Sequence, residues 1–143
     1  MLKKVFFTLV FSVLLTGCGG AGISQAATEL TVEATDFAYN PSSITVPAGQ
    51  PVTLTLKNTG AIEHDFVVDK INVTDVEASD SGPAMHHQMG EAAEYDLHFF
   101  AGAGNTVTLQ FTALEPGTYE ISCTIEGHKE AGMIGKLMVV EQD

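Results

Sequence analysis

The chain contains no tryptophan and no arginine, and its six lysines face eighteen acids, a formal net charge of −12. So little cationic surface cannot displace counterions from phosphate, which excludes a nucleic-acid partner. Cysteine is nearly absent as well: Cys18 and Cys123 are the whole supply, in unlike contexts. The apolar run Val5 to Leu15 has eleven residues, well short of the roughly 20 that a membrane-spanning helix needs. No internal repeat and no haem-attachment motif is visible. A chain of 143 residues, less a targeting segment, amounts to one domain of ordinary size, with a core large enough to need no disulfide.

What is present begins with an export signal over residues 1–17. Lys3-Lys4 supply the charged start and Val5 to Leu15 the apolar stretch. Leu15-Thr16-Gly17-Cys18 resembles the bacterial lipobox, which predicts cleavage before Cys18 and lipidation of its sulfur. The alternative is an ordinary signal peptide cut near Ala26-Ala27. Acyl chains, at ~0.8 kcal/mol per buried methylene, would hold the domain at a membrane. The expectation is thus an exported lipoprotein of the cell or outer membrane, facing the periplasm or the exterior. Residues 18–27 are small and polar and read as a flexible tether. Without residues 1–17, four lysines remain against eighteen acids, a net charge of −14. Such a surface can steer a basic partner, or serve only solubility.

From Thr28 the pattern changes to period two, and residues 28–143 read as the folded domain. Leu30, Val32 and Ala34 alternate with Thr31, Glu33 and Thr35; Val52, Leu54 and Leu56 with Thr53, Thr55 and Lys57. Ile44 to Val46, His64 to Asp69, Thr106 to Thr112, Thr118 to Cys123 and Ile134 to Val140 read as further strands, with turns at Asn40-Pro41-Ser42, Pro47-Ala48-Gly49 and Glu115-Pro116-Gly117. The fold class is all-β, a sandwich or barrel. Ile71 to Asn105 stands out by its weak strand character. It is expected to be an insertion at about 71–105, within which Glu91 to Phe99 could form a short helix.

The most informative stretch is Pro116-Gly-Thr-Tyr-Glu-Ile-Ser-Cys123-Thr-Ile-Glu-Gly-His128-Lys-Glu-Ala-Gly-Met133. Thiol, imidazole and thioether follow one another at C-x4-H-x4-M on a loop between two strands. Soft sulfur with imidazole suits copper or zinc, and a weak axial Met points to copper. A second His would complete a His2Cys set, and His64, on a strand of its own, is the candidate. Strand parity turns Tyr119, Ile121 and Cys123 to one face, and Met133 inward with Gly135, Leu137 and Val139. A bound metal would also occupy Cys123, which is otherwise a lone thiol in an exported protein.

This loop resembles the copper-binding loop of the small blue (type 1) copper proteins, the cupredoxins. Its two four-residue gaps are most similar to those of the auracyanin, rusticyanin and sulfocyanin kind. The resemblance covers Thr28 to Val140. It implies a cupredoxin-like Greek-key β-sandwich or barrel and one copper per chain held by His64, Cys123, His128 and Met133. It further implies that His128 lies at the surface, in an apolar patch to which Ala61, Ile62, Ile125, Ala131 and Ile134 could contribute. One departure is Asp65, where many cupredoxins carry Asn or Ser after the first His. Thr124 is expected to hydrogen-bond Asp65, and a carboxylate there should favour Cu(II).

Four protein ligands leave no position for a small-molecule substrate. The expected function is therefore electron transfer, without enzymatic activity, to redox partners such as a cytochrome or a membrane oxidoreductase. A copper enzyme would need a further copper centre and domain. The alternative is copper storage or delivery through a second cluster, Met85-His86-His87-Gln88-Met89, near which His98 is expected. The bland reading of that cluster is an exposed polar loop.

Overall fold

Alternation of apolar and polar residues favours strands because successive side chains point to opposite faces, so that one face can be buried. The structure, a computed structural model, describes residues 26–80 and 95–142. It contains ten strands among them: β1 Glu29–Thr35, β2 Ala38–Asn40, β3 Ser43–Pro47, β4 Pro51–Asn58, β5 His64–Val68, β6 Val73–Asp80, β7 Leu97–Ala101, β8 Thr106–Ala113, β9 Gly117–Ser122 and β10 Ile134–Val140. They form two five-stranded sheets, ordered β2-β1-β4-β8-β6 and β3-β10-β9-β5-β7. The pairs β1–β4 and β3–β10 are parallel and the others antiparallel. The expected all-β sandwich is what is found, and no helix occurs among the described residues.

The inward residues of both sheets meet in one core. Val32, Leu54, Leu56, Leu109 and Phe111 come from the first sheet, and Phe66, Leu97, Ile121 and Leu137 from the second. Each is 0–1 % exposed, and full burial of such a side chain contributes roughly 1.5–3 kcal/mol. β5 is buried at all five positions, so both of its faces are covered. Its parity sends His64, Phe66 and Val68 to one side and Asp65 and Val67 to the other. That single strand thereby supplies a residue to each side of the site described below.

The expectation of an insertion over residues 71–105 needs correction. β6 pairs with β8 along the edge of the first sheet, with a register shift between Thr74 and Glu77 where Asp75 takes φ +55°. β7 pairs with β5 from His64↔Ala101 to Val68↔Leu97 at the edge of the second sheet. The segment therefore contributes an edge strand to each sheet. β6 escaped notice because Thr74 to Ala78 are all exposed. Backbone hydrogen bonds hold such a strand, and no apolar alternation is required of it. The helix expected over Glu91 to Phe99 is also corrected in its described part: Tyr95 and Asp96 form a bend and Leu97 onward is strand. Leu97, Phe99 and Ala101 are buried while His98 is exposed, so the period is two.

Gly135 marks how closely the chain passes β10. A Cβ there would lie 2.8 Å from the Ser42 carbonyl oxygen and 3.5 Å from Ile121 Cβ. The same carbonyl accepts the Lys136 N–H at 2.8 Å, so it cannot retreat freely. Gly135→Ala is expected to destabilise the domain by roughly 1–3 kcal/mol, the usual range for overpacking. The midpoint of urea unfolding should fall accordingly, and an unchanged midpoint would contradict this packing.

Candidate metal centre

The segment from Cys123 to Met133 joins β9 to β10, and backbone hydrogen bonds close it at its base. The Cys123 N–H donates to Met133 O (3.3 Å) and the Met133 N–H to His128 O (3.0 Å). Within it the His128 N–H reaches Ile125 O (3.0 Å) and the Ala131 N–H reaches Gly127 O (3.0 Å). Gly127 and Gly132 take φ of +83° and +105°, backbone conformations that residues with a Cβ rarely adopt. The two four-residue gaps are thus wound into a compact loop, with Cys123 and Met133 at its two feet. Both are fully buried, as strand parity requires.

His64 opens β5, the neighbour of β9, and reaches the same place. His64, Cys123 and His128 are 0 %, 0 % and 4 % exposed. They present one imidazole nitrogen or sulfur each, all within 4.8 Å of one another. Cys123 Sγ lies 3.3 Å from His128 Nδ1, and the two imidazole rings are 5.0 Å apart, tilted by 51°. Neither ring nitrogen of His64 has a hydrogen-bond partner among the described residues, although both are buried. Buried polar atoms without partners are rare, and a metal ion would give one of them its missing partner. The donor set fits copper: one thiolate-forming sulfur and two imidazoles, with the thioether of Met133 carried at the other foot of the same loop.

Protonation follows from burial. Desolvation first, then the Asp65 carboxylate, pushes the Cys123 thiol up to about 11 in the metal-free chain. Burial, then the neighbouring His128, holds His64 below the ordinary imidazole range. A neutral imidazole is the form that binds a metal.

Asp65 lies on the opposite side of β5 and ties the site to its surroundings. Its Oδ1 accepts the Thr124 N–H at 2.7 Å, and its Oδ2 accepts the Thr124 hydroxyl in a short hydrogen bond. The expected Thr124–Asp65 pairing is therefore present. His98 Nε2 meets the same Oδ2 at 3.2 Å, and the buried Tyr39 hydroxyl donates to Asp65 O at 2.5 Å. His98 thus belongs to this network on β7. The cluster Met85, His86, His87 and Met89 lies outside the described residues, as do residues 1–25, including Cys18.

The turn between β1 and β2, Asp36-Phe37, also contributes to the site, and the sequence reading missed it. Phe37, at φ +66°, stands edge-on to His128 with ring centres 5.1 Å apart. His128 is consequently buried, which corrects the expectation that its ring lies at the surface. Phe37 is itself 44 % exposed, and Ile62 and Ile134 are comparably exposed. The available signal was a bulky aromatic in a two-residue turn, where no core position calls for one.

Comparison with known proteins agrees with this geometry. A family model described as copper binding proteins, plastocyanin/azurin family, matches residues 26–140. The copper-resistant cuproprotein CopI of Rubrivivax gelatinosus is 33 % identical over 123 residues, covering 85 % of this chain and 70 % of that one. Auracyanin-A of Chloroflexus aurantiacus is 31 % identical over 147 residues, 90 % of each chain. Its solved structure, described as a "blue" copper protein, has a TM-score of 0.56 to this one at 28 % identity, covering 78 % of this chain and 99 % of that one. The dithionite-reduced auracyanin of Roseiflexus castenholzii has a TM-score of 0.63 at 27 % identity, covering 81 % of this chain and 99 % of that one. The chain therefore belongs to the plastocyanin/azurin family of copper-binding proteins, and is a blue copper cupredoxin.

Proposed function

We propose that this protein carries electrons on a single copper ion held by His64, Cys123 and His128, with Met133 as a weaker fourth ligand. The observation behind this reading is the buried His64–Cys123–His128 cluster, whose donor atoms lie within 4.8 Å of one another. Four protein ligands leave no open coordination position, which suits electron transfer and not bond-making. A donor set placed by two strands and a hydrogen-bonded loop is rigid, so the geometry can stay the same as the charge on the metal changes.

The partner, on this reading, is another redox protein that makes a weak, transient contact. Phe37 over His128, with Ile62 and Ile134, offers apolar surface for such an encounter. The leader-like residues 1–17, Cys18 and the tether to residue 27 favour an exported domain anchored by lipid. The match to CopI favours a second reading, a role in copper handling, with Met85 to Met89 as the additional binding segment.

A copper titration of the purified domain separates these readings. One equivalent should give an intense blue absorption band and a narrow copper hyperfine splitting, with reversible voltammetry. Cys123→Ala should abolish all three. A second equivalent lost on changing His86 and His87 would favour copper handling, and tight binding with no blue band would refute the electron-transfer site. Because the Cys123 thiol is raised to about 11, loading Cu(II) at pH 7 should release about one proton per copper from this residue. Proton release in weakly buffered solution measures it, and Cys123→Ala should remove it.

Asp65 bears on both stability and potential. Burial alone would raise its carboxyl, but hydrogen bonds from His98, Cys123 and Thr124 outweigh burial and bring it to about 2, from an ordinary 3.8. A depressed carboxyl contributes stability above its unfolded value, and that stability is lost as the pH falls through the folded one. Between pH 4 and 2 the metal-free chain should lose ~1–2 kcal/mol more than Asp65→Asn does, after allowing for solvent screening, as read by urea unfolding. With copper bound, the Asp65 anion favours Cu(II). Asp65→Asn should raise the reduction potential by tens of mV, up to about 100 mV, for an interaction on the order of 1–2 kcal/mol. An unchanged potential would refute that role.

A further inference from the structure

The turn Asp36-Phe37 reaches both histidines, and its carboxylate has a partner that the copper site alone does not explain. Asp36 Oδ1 lies 3.7 Å from His64 Nε2, and the imidazole is wholly buried while the carboxylate is half exposed. The carboxylate is anchored, because the same Oδ1 accepts the Ala61 N–H at 3.1 Å. The turn is anchored too, since Ala34 O at the end of β1 accepts the Thr59 N–H at 2.9 Å. Between the two groups sits Gly60. A Cβ there would lie 2.6 Å from Asp36 Oδ1 and 2.8 Å from His64 Nε2. Only a residue without a side chain lets this carboxylate and this ring approach.

His64 has two buried nitrogens and, among the described residues, no hydrogen-bond partner for either. A metal can take only one of them. Since Nε2 faces Asp36, Nδ1 is the nitrogen left to the metal. A neutral imidazole carries its single proton on one nitrogen, and the group opposite the other nitrogen decides which.

We propose that Asp36 is the positioning residue of His64: its carboxylate, 3.7 Å from Nε2 and so beyond hydrogen-bond reach, draws the ring proton to that nitrogen by its charge, favours the tautomer that turns the Nδ1 lone pair to the copper, and makes that nitrogen a stronger donor. A carboxylate behind a metal-binding histidine raises ligand basicity, which favours Cu(II) over Cu(I). Gly60 has the complementary part, keeping clear the space through which the two groups meet. This inference rests on the reading of His64 as a copper ligand, and the experiment below separates the two.

The test is Asp36→Ala, with Asp36→Asn as the conservative partner, read by nitrogen NMR of the His64 ring in the metal-free and Cu(I)-loaded chain, by Cu(II) affinity and by voltammetry. In Asp36→Ala the proton on Nε2 should no longer dominate in the metal-free chain. Cu(II) affinity should fall by roughly 10–100-fold, and the reduction potential should rise. Asp36→Asn keeps the oxygen that accepts the Ala61 N–H but removes the charge, and should leave tautomer and affinity between those of the native chain and Asp36→Ala. Gly60→Ala should imitate Asp36→Ala by forcing the pair apart, with the Asp36 side chain intact. Unchanged tautomer and affinity in Asp36→Ala, with the blue band intact, would overturn the role of Asp36. A blue band that survives His64→Ala would overturn the ligand reading instead.

Discussion

The structure is built around a polar cluster that the protein buries while leaving its first histidine unsatisfied. His64, Cys123 and His128 are withdrawn from water, and the two nitrogens of His64 find no hydrogen-bond partner among the described residues. Burial of unpaired polar groups costs free energy, and the apolar residues of two sheets offset that cost. Core side chains such as Phe66, Phe111, Leu54 and Leu137 hold the strands in a fixed relation. The fold itself therefore gathers the donors in one place. Such a site imposes its geometry, because rearranging it would mean rearranging the core.

β5 links the two sides of the arrangement. Its first residue, His64, turns inward to the cluster, and its second, Asp65, turns to the other face, where it holds Thr124 and meets His98. Thr124 follows Cys123 directly. The carboxylate thus grips the loop at the residue after the thiol, and fixes the Cys123 backbone relative to β5. The same anion raises the thiol further. One side chain therefore couples the stability of the loop to the electrostatics of the site.

The turn between β1 and β2 closes the site from the solvent side. Asp36 faces His64, and Phe37 covers His128. In each case an exposed residue acts on a buried one, so the turn can modulate the cluster without belonging to the core. The apolar ring over His128 also places the site close to the exposed surface.

By itself the sequence determined the loop and most of the strands. C-x4-H-x4-M names three of the donors, and strand-like patterning marks seven strands. These features are legible because local spacing and side-chain parity decide them. Tertiary structure alone decided the rest. β6 is a strand through its backbone pairing with β8, which leaves no mark on its exposed side chains, and β7 carries an alternation that the acidic residues before it disguised as helix. Asp36 and Phe37 acquire their roles from strands that bring residue 36 to residue 64 and residue 37 to residue 128. No spacing rule reports such contacts, because they depend on the order of strands in the sheets and on the hand of one two-residue turn.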